Sequence, residues 1–378
     1  MHIETYRYRN GDWDGSFDLT SDGPNTLLLA FGDSTQLDDA EVIAELAAAF
    51  PTSVLMGCST AGEILDARVE DNSLTVAVVR FERSRLKYAT APLKEIDGSR
   101  VAGESLAEQL SDDHLQAAFV LSNGLDVNGS ELVRGLNSGL DPAVLVTGGL
   151  AGDGPRFRRT WVIVDGQPRT GYSAAVGFYG EHLRVGHGCQ GGWEIFGPDR
   201  RVTRSAGNVL YELDGRPALQ LYKDYLGELS AGLPGSALRF PLALKETVDD
   251  DRQLVRTVLS VSEADQSMTF AGDIPQGWMA QLMRSSVDQL IEGAAQAARA
   301  SGTGADSPVP GLAIAVSCVG RRMVLREAVD EEVEATLEYL PAGTRQIGFY
   351  SYGELSPYAS GACDLHNQTM TLTTLQEV

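Results

Sequence analysis

Short apolar runs rich in Val, Leu and Ile recur through the first half of this chain, each separated from the next by a segment of helical periodicity. Residues 26–31, 53–57, 74–81, 117–122, 143–148, 160–165 and 174–179 read as strands, and 38–50, 99–110 and 129–140 as helices between them. That alternation restricts the chain to an α/β fold. Strand 74–81 is followed almost at once by 86–90, too briefly for a parallel crossover, so the sheets are mixed and partly antiparallel, flanked by helices.

Beyond residue 196 the pattern repeats in a second form. A helix is expected over 217–226, a Gly-Leu-Pro-Gly loop at 232–235, and strands at 238–244, 254–261, 312–317, 346–350 and 370–375. The alanine-rich stretch 277–300 reads as one long helix, ended by a Ser/Gly-rich loop at 301–308. Two related α/β modules, 25–196 and 197–378, follow from this division. One internal echo links them. Gly57-Cys58-Ser59-Thr60-Ala61-Gly62-Glu63-Ile64 and Gly348-Phe349-Tyr350-Ser351-Tyr352-Gly353-Glu354-Leu355 share the spacing G-x-x-x-x-G-E-apolar, as a duplicated helix–strand–turn unit would.

Charge removes several functions. The formal net charge is −22, with 52 acidic residues against 30 Lys and Arg, so no basic face is available for nucleic acid or an anionic membrane. The polar amino terminus lacks the apolar core of a signal peptide, and no stretch is apolar for the length of a membrane span, which places the protein in the cytoplasm. Cys58, Cys189, Cys318 and Cys363 are scattered without CxxC or CxxCH, so neither a zinc knuckle nor covalent haem attachment is encoded.

The remaining motifs are read for chemistry. Gly57 and Gly62 have phosphate-loop spacing, but Glu63 stands where that loop needs Lys, and its carboxylate repels phosphate. Gly57-Cys58-Ser59-Thr60-Ala61 resembles a nucleophile elbow, giving Ser59 or Cys58 as the nucleophile of a hydrolase, or else a tight turn only. Asn123-Gly124 and Gly148-Gly149, followed by Asp153, each come after a strand where backbone can approach a ligand. A shared pocket of Ser59, Thr60, Asn123, Gly149 and Asp153 is the expectation. Arg321 and Arg322, close after Cys318, either raise that thiol's thiolate character, clamp a carboxylate (one or the other), or pair with one of the many acids. His187, flanked by Gly186 and Gly188, is the candidate axial ligand should haem b bind non-covalently, with His366 second.

Taken together these strings resemble one family. Gly57 to Glu63, Thr147-Gly148-Gly149-Leu150-Ala151-Gly152-Asp153, Tyr211-Glu212-Leu213-Asp214-Gly215-Arg216-Pro217-Ala218, Ser317 to Arg321, Gly348 to Glu354 and Leu365-His366-Asn367-Gln368-Thr369 are similar, in order, to the amino- and carboxy-terminal modules of FIST (F-box and intracellular signal transduction) proteins. The resemblance implies an intracellular sensor, not an enzyme. It would bind an amino acid or similar metabolite and signal to a separate partner such as a histidine kinase or a cyclic-di-nucleotide enzyme. Some bacterial stand-alone members are described as haem-containing nitric-oxide sensors, the specific alternative here. Cys58, Ser59, Thr60, Asn123, Gly149, Asp153, Arg321, Tyr352 and Glu354 are the ligand-binding candidates. No F-box, kinase, receiver or cyclase segment is visible, so output would pass through another protein.

Overall fold

A computed structural model describes residues 1–93, 98–250, 253–302, 309–357 and 361–378. Among these residues one supersecondary unit occurs three times: a strand leads through a helix to a parallel neighbour, the chain departs as a hairpin, and it returns as an antiparallel strand. In the first unit these are β1 (His2–Arg9) as a leading edge, β2 (Thr26–Gly32), α1 (Glu41–Ala49), β3 (Val54–Ser59), hairpin β4 and β5 (Glu63–Leu65, Arg68–Glu70), and β6 (Leu74–Arg80). The second has β7 (Arg85–Pro92), α2 (Gly98–Leu110), β8 (Leu115–Ser122), α3 (Gly129–Gly139), β9 (Leu145–Leu150), hairpin β10 and β11 (Val162–Val164, Gln167–Arg169), and β12 (Tyr172–Tyr179).

The third unit begins at β13 (Leu183–Gln190) and is interrupted by an insert, an antiparallel sheet with helix α4 (Ala218–Leu226) packed on its own apolar core. It resumes with α5 (Val287–Ala300), β14 (Leu312–Cys318), α6 and α7 (Val319–Leu325, Val329–Leu337), β15 (Arg345–Ser351), hairpin β16 and β17 (Gly353–Pro357, Cys363–His366), and β18 (Met370–Glu377).

The hairpins are exchanged in a ring. The first unit's β4 pairs with β15 of the third, the third unit's β16 with β9 of the second, and the second unit's β10 with β3 of the first. Each crossing is fixed by an equivalent backbone bond: Ala61 N to Tyr350 O (2.8 Å), Gly152 N to Ser59 O (3.0 Å) and Tyr352 N to Leu150 O (3.1 Å). The three sheets face inward on one core containing Leu29, Phe31, Cys58, Phe119, Val176, Val316 and Phe349, with the Phe31 and Phe349 rings 4.8 Å apart. Each such side chain contributes roughly 1.5–3 kcal/mol on burial. Helices cover the outer faces, α1 on the first sheet, α2 and α3 on the second, and α5 and α7 on the third.

The mixed α/β class and two-module organisation agree with the sequence reading, and the exchange interlocks the modules. Two expected elements differ. In 277–300 the first part is a strand, Met279–Arg284, because Ala280 and Leu282 pair with Leu244 and Leu242 and point into the insert's core; α5 starts only at Val287, behind its N-cap Ser286, which forms a capping box with Gln289. Residues 235–239 form a 3-10 turn, so the strand expected from 238 starts at Leu242. Of the expected loop 301–308, residues 303–308 lie outside the described residues.

Gly57, Gly148 and Gly348 occupy one position of the unit. A Cβ there would lie 1.9, 1.8 and 1.9 Å from the carbonyl oxygens of Ala30, Val120 and Ala315 on the parallel neighbour. Replacing each by Ala is expected to cost about 2 kcal/mol or more in urea melts. Gly235→Ala, which meets nothing within 4 Å, is expected to stay within about 0.5 kcal/mol of wild type.

Candidate functional site

The Gly-Glu echo has a local physical meaning. Glu63 opens β4 and accepts hydrogen bonds from Thr60 Oγ1, Ser73 N (3.1 Å) and Ser73 Oγ (2.8 Å). Glu354, second in β16, accepts from Ser351 Oγ, Thr369 N (3.2 Å) and Thr369 Oγ1 (3.0 Å). Each carboxyl therefore ties a departing hairpin to the segment that returns from it. Burial pushes Glu63 up to about 8 and Glu354 up to about 7. The second unit substitutes Asp153, which accepts from Arg158 N (2.9 Å), Arg159 N (3.0 Å) and the Tyr352 hydroxyl, while the Tyr352 ring stacks on Phe157.

Where the first two units cross, Thr60, Glu63 and Asp153 line a cavity of about 280 Å³ with Asp33, Asp71, Arg156 and Arg322. Both guanidinium groups are engaged, Arg156 with Asp33 (2.8 Å) and Arg322 with Asp71 (2.7 Å). Cys58 sits in the central core, where burial drives its thiol well above the usual value, and the buried Ser59 Oγ accepts from Trp161 N (3.0 Å). Neither offers an exposed nucleophile, so this geometry does not carry the hydrolase reading. Gly149 is packed under Val316 and Phe349.

Asn123 shapes a second wall. Its Oδ1 accepts from Leu125 N and Asp126 N (both 3.1 Å) and its Nδ2 donates to Thr160 O (2.9 Å), fixing the loop that leads to α3. Asn128 then caps α3 by accepting from Glu131 N (3.2 Å) and reaches Asp273 of the insert at 3.4 Å. Between this loop and the insert lies a cavity of about 500 Å³, lined by Leu93, Ser99, Leu125, Asp126, Val127, Asn128, Asn208, Ala271 and Gly272. It stands at the carboxyl end of β8, beside its parallel partner β9, the usual ligand position of such sheets. The sequence reading named none of Asn128, Asn208 and Gly272 as site residues; Asn128 directly before the expected helix 129–140 is the one signal that could have found a wall residue.

Family models agree with this organisation: a FIST N domain matches residues 26–216 and a FIST C domain residues 218–357. The chain belongs to the FIST family. FIST domains are small-ligand sensory domains of signalling proteins. The chain is also similar to the "Uncharacterized protein MJ1623" of Methanocaldococcus jannaschii, 24 % identical over 341 residues, which cover 80 % of this chain and 64 % of that protein. It thus spans less than two thirds of that relative's length. Among the described residues, no helix is long and apolar enough to cross a membrane, and no group of three or more His, Cys, Asp or Glu is placed to hold a metal ion.

The two candidate histidines, His187 and His366, lie in different settings. Gly186 and Gly188 serve α5: a Cβ on either would lie 1.9 Å from Ser301 O or Ala297 O. Strand alternation puts half-buried His187 on the opposite face, beside Thr373, whose hydroxyl meets Thr147 of the neighbouring sheet. His366 is buried, with its Nε2 2.9 Å from Ser356 O, and shares a cavity wall with Cys189. Arg321 is no open clamp. It is fully buried, bonded to Glu332 (2.6 Å) and to Leu290 O (2.7 Å), and Glu332 also accepts from the Tyr350 hydroxyl. Burial pushes the Cys318 thiol up, opposite to the activation its neighbour suggested.

The raised carboxyls give a signed pH dependence. Their contribution to stability is fully present below the unfolded value of 4.5 and is lost as pH rises to about 7 for Glu354 and about 8 for Glu63. Wild-type unfolding free energy is expected to fall between pH 5 and 8, by at most about 1.4 kcal/mol per pH unit and group. A doubly substituted Glu63→Gln, Glu354→Gln protein should lack that slope in urea titrations across the same range.

Proposed function

We propose that this FIST protein senses a small polar metabolite of the amino-acid class in the cavity between the Leu125–Asn128 loop and the insert. It reports occupancy to a separate signalling protein, such as a histidine kinase or a cyclic-di-nucleotide enzyme. One observation carries the reading: the cavity of about 500 Å³ is walled jointly by the ring of units and by the insert, so a ligand there changes how the two fit together. Its chemistry suits a zwitterion. Asp126 supplies a carboxylate for an ammonium group. Asn208 spends Nδ2 on Phe270 O (2.8 Å), which leaves Oδ1 as its acceptor. Ser99 Oγ accepts from Asn128 N (2.9 Å) and keeps its own proton to donate. Leu93, Leu125 and Val127 provide apolar wall for a side chain.

Titration calorimetry against a panel of amino acids tests this. At least one is expected to bind wild type and to stabilise it by about 2.7 kcal/mol at a hundredfold excess over Kd. Val127→Trp, which fills the cavity, should abolish binding while retaining the wild-type melt, and Asp126→Asn should weaken it. A panel without binders, or a Val127→Trp protein that binds like wild type, would overturn the assignment.

A further inference from the structure

On the far side of the insert, β13 and the end of β17 bring together two groups that the sensory reading does not use. Cys189 Sγ accepts a hydrogen bond from Thr371 Oγ1 (3.6 Å) and lines one cavity together with His366 and Thr369, both of which act on the thiol electrostatically. The His366 ring is held by Ser356 O, 2.9 Å from Nε2, which makes Nε2 the protonated nitrogen and Nδ1 the basic one. Nucleophile, base and orienting acceptor thus stand in sequence, the arrangement of an activated cysteine. The pair opens into a cavity of about 290 Å³ whose walls include Trp193, Gln253, Val255 and Met283. Cys189 is only partly buried, unlike Cys58, Cys318 and Cys363.

We propose that Cys189, with His366 as its base, is a reactive thiol that captures a small α,β-unsaturated carbonyl compound in this cavity. The walls fit that class: Trp193, Val255 and Met283 accept an alkene, and the Gln253 amide offers a polar partner to a carbonyl oxygen. In the reaction the thiol proton passes to His366. Sulfur then bonds to the β-carbon, the carbon–carbon π pair moves to the α-carbon, and the imidazolium proton is delivered there. The product is a thioether, with neutral imidazole restored. Electrostatics agree, since His366 and the two threonine hydroxyls lower the Cys189 thiol below its usual value despite burial, and Cys189 and Asp364 raise His366. The other groups that act on the pair are Glu354, through His366, and Cys363, through Cys189. This cavity is separate from the one assigned to the metabolite, and the proposal goes beyond that assignment.

The experiment uses the intact protein, with acrylamide as the unsaturated probe and iodoacetamide as a second electrophile, read by peptide mass spectrometry over time. Adducts are expected at Cys189 well before the other three cysteines. The rate at Cys189 is expected to change less than threefold between about pH 6 and about pH 8, where an ordinary thiol gains about tenfold per pH unit. His366→Gln should slow the reaction at least tenfold and restore the ordinary pH rise, with circular dichroism checking its fold. Should that variant not fold, the wild-type pH profile decides alone. An ordinary thiol profile in wild type, no preference for Cys189, or equal rates in a folded His366→Gln protein would each overturn the proposal.

Discussion

The ring of crossing connections is the constraint on which the rest of the structure depends. Ala61 N to Tyr350 O, Gly152 N to Ser59 O and Tyr352 N to Leu150 O bind each unit's departing strand to the next unit's parallel strand, and the cycle closes on itself. A backbone donor buried at such a crossing has no water to replace its partner, so breaking one link strands polar groups in an apolar centre. The inward-facing sheet faces are covered by one another instead of by helices. The long chain therefore gains a common core, and the amino-terminal and carboxy-terminal FIST domains become parts of one interlocked body.

The buried carboxylates follow from the ring. A strand that leaves its sheet abruptly exposes hydroxyls and amides at the crossing. Glu63 and Glu354 satisfy them in two units with the same set: a hydroxyl three residues before and a Ser or Thr at the head of the returning strand. The second unit lacks the glutamate and uses Asp153, drawing Tyr352 from the third unit. The long insert breaks the repeat further, and both cavities with functional readings lie where the insert meets the ring. The repeated parts hold the fold, and the departures from repetition make the concave surfaces.

Much of this was legible in advance. The central strands and α1, α2 and α3 lie close to where apolar periodicity put them, because fully buried parallel strands must be continuously apolar and the helices amphipathic. The echo at Gly57 and Gly348 was visible because a parallel neighbour's carbonyl forbids any Cβ at both places. Its third copy was not, since Asp153 and Gly154 replace the second glycine and the glutamate while Gly148 alone is kept. The glycines beside His187 look like open space in a sequence, yet here α5 fills it.

What the sequence by itself determined is the class of the fold, the division into strands and helices, and family membership, all of which rest on local periodicity and short motifs. Which sheet each hairpin joins was decided only by tertiary structure. Short hairpins such as Glu63–Leu65 and Arg68–Glu70 carry too little apolar pattern to specify a partner, and their pairing is set by the edge strand that stands beside the crossing. The same holds for the sites. Cys189 and His366 are separated by most of the second half of the chain, and only the pairing of Leu183–Gln190 with Met370–Glu377 brings the thiol to the imidazole.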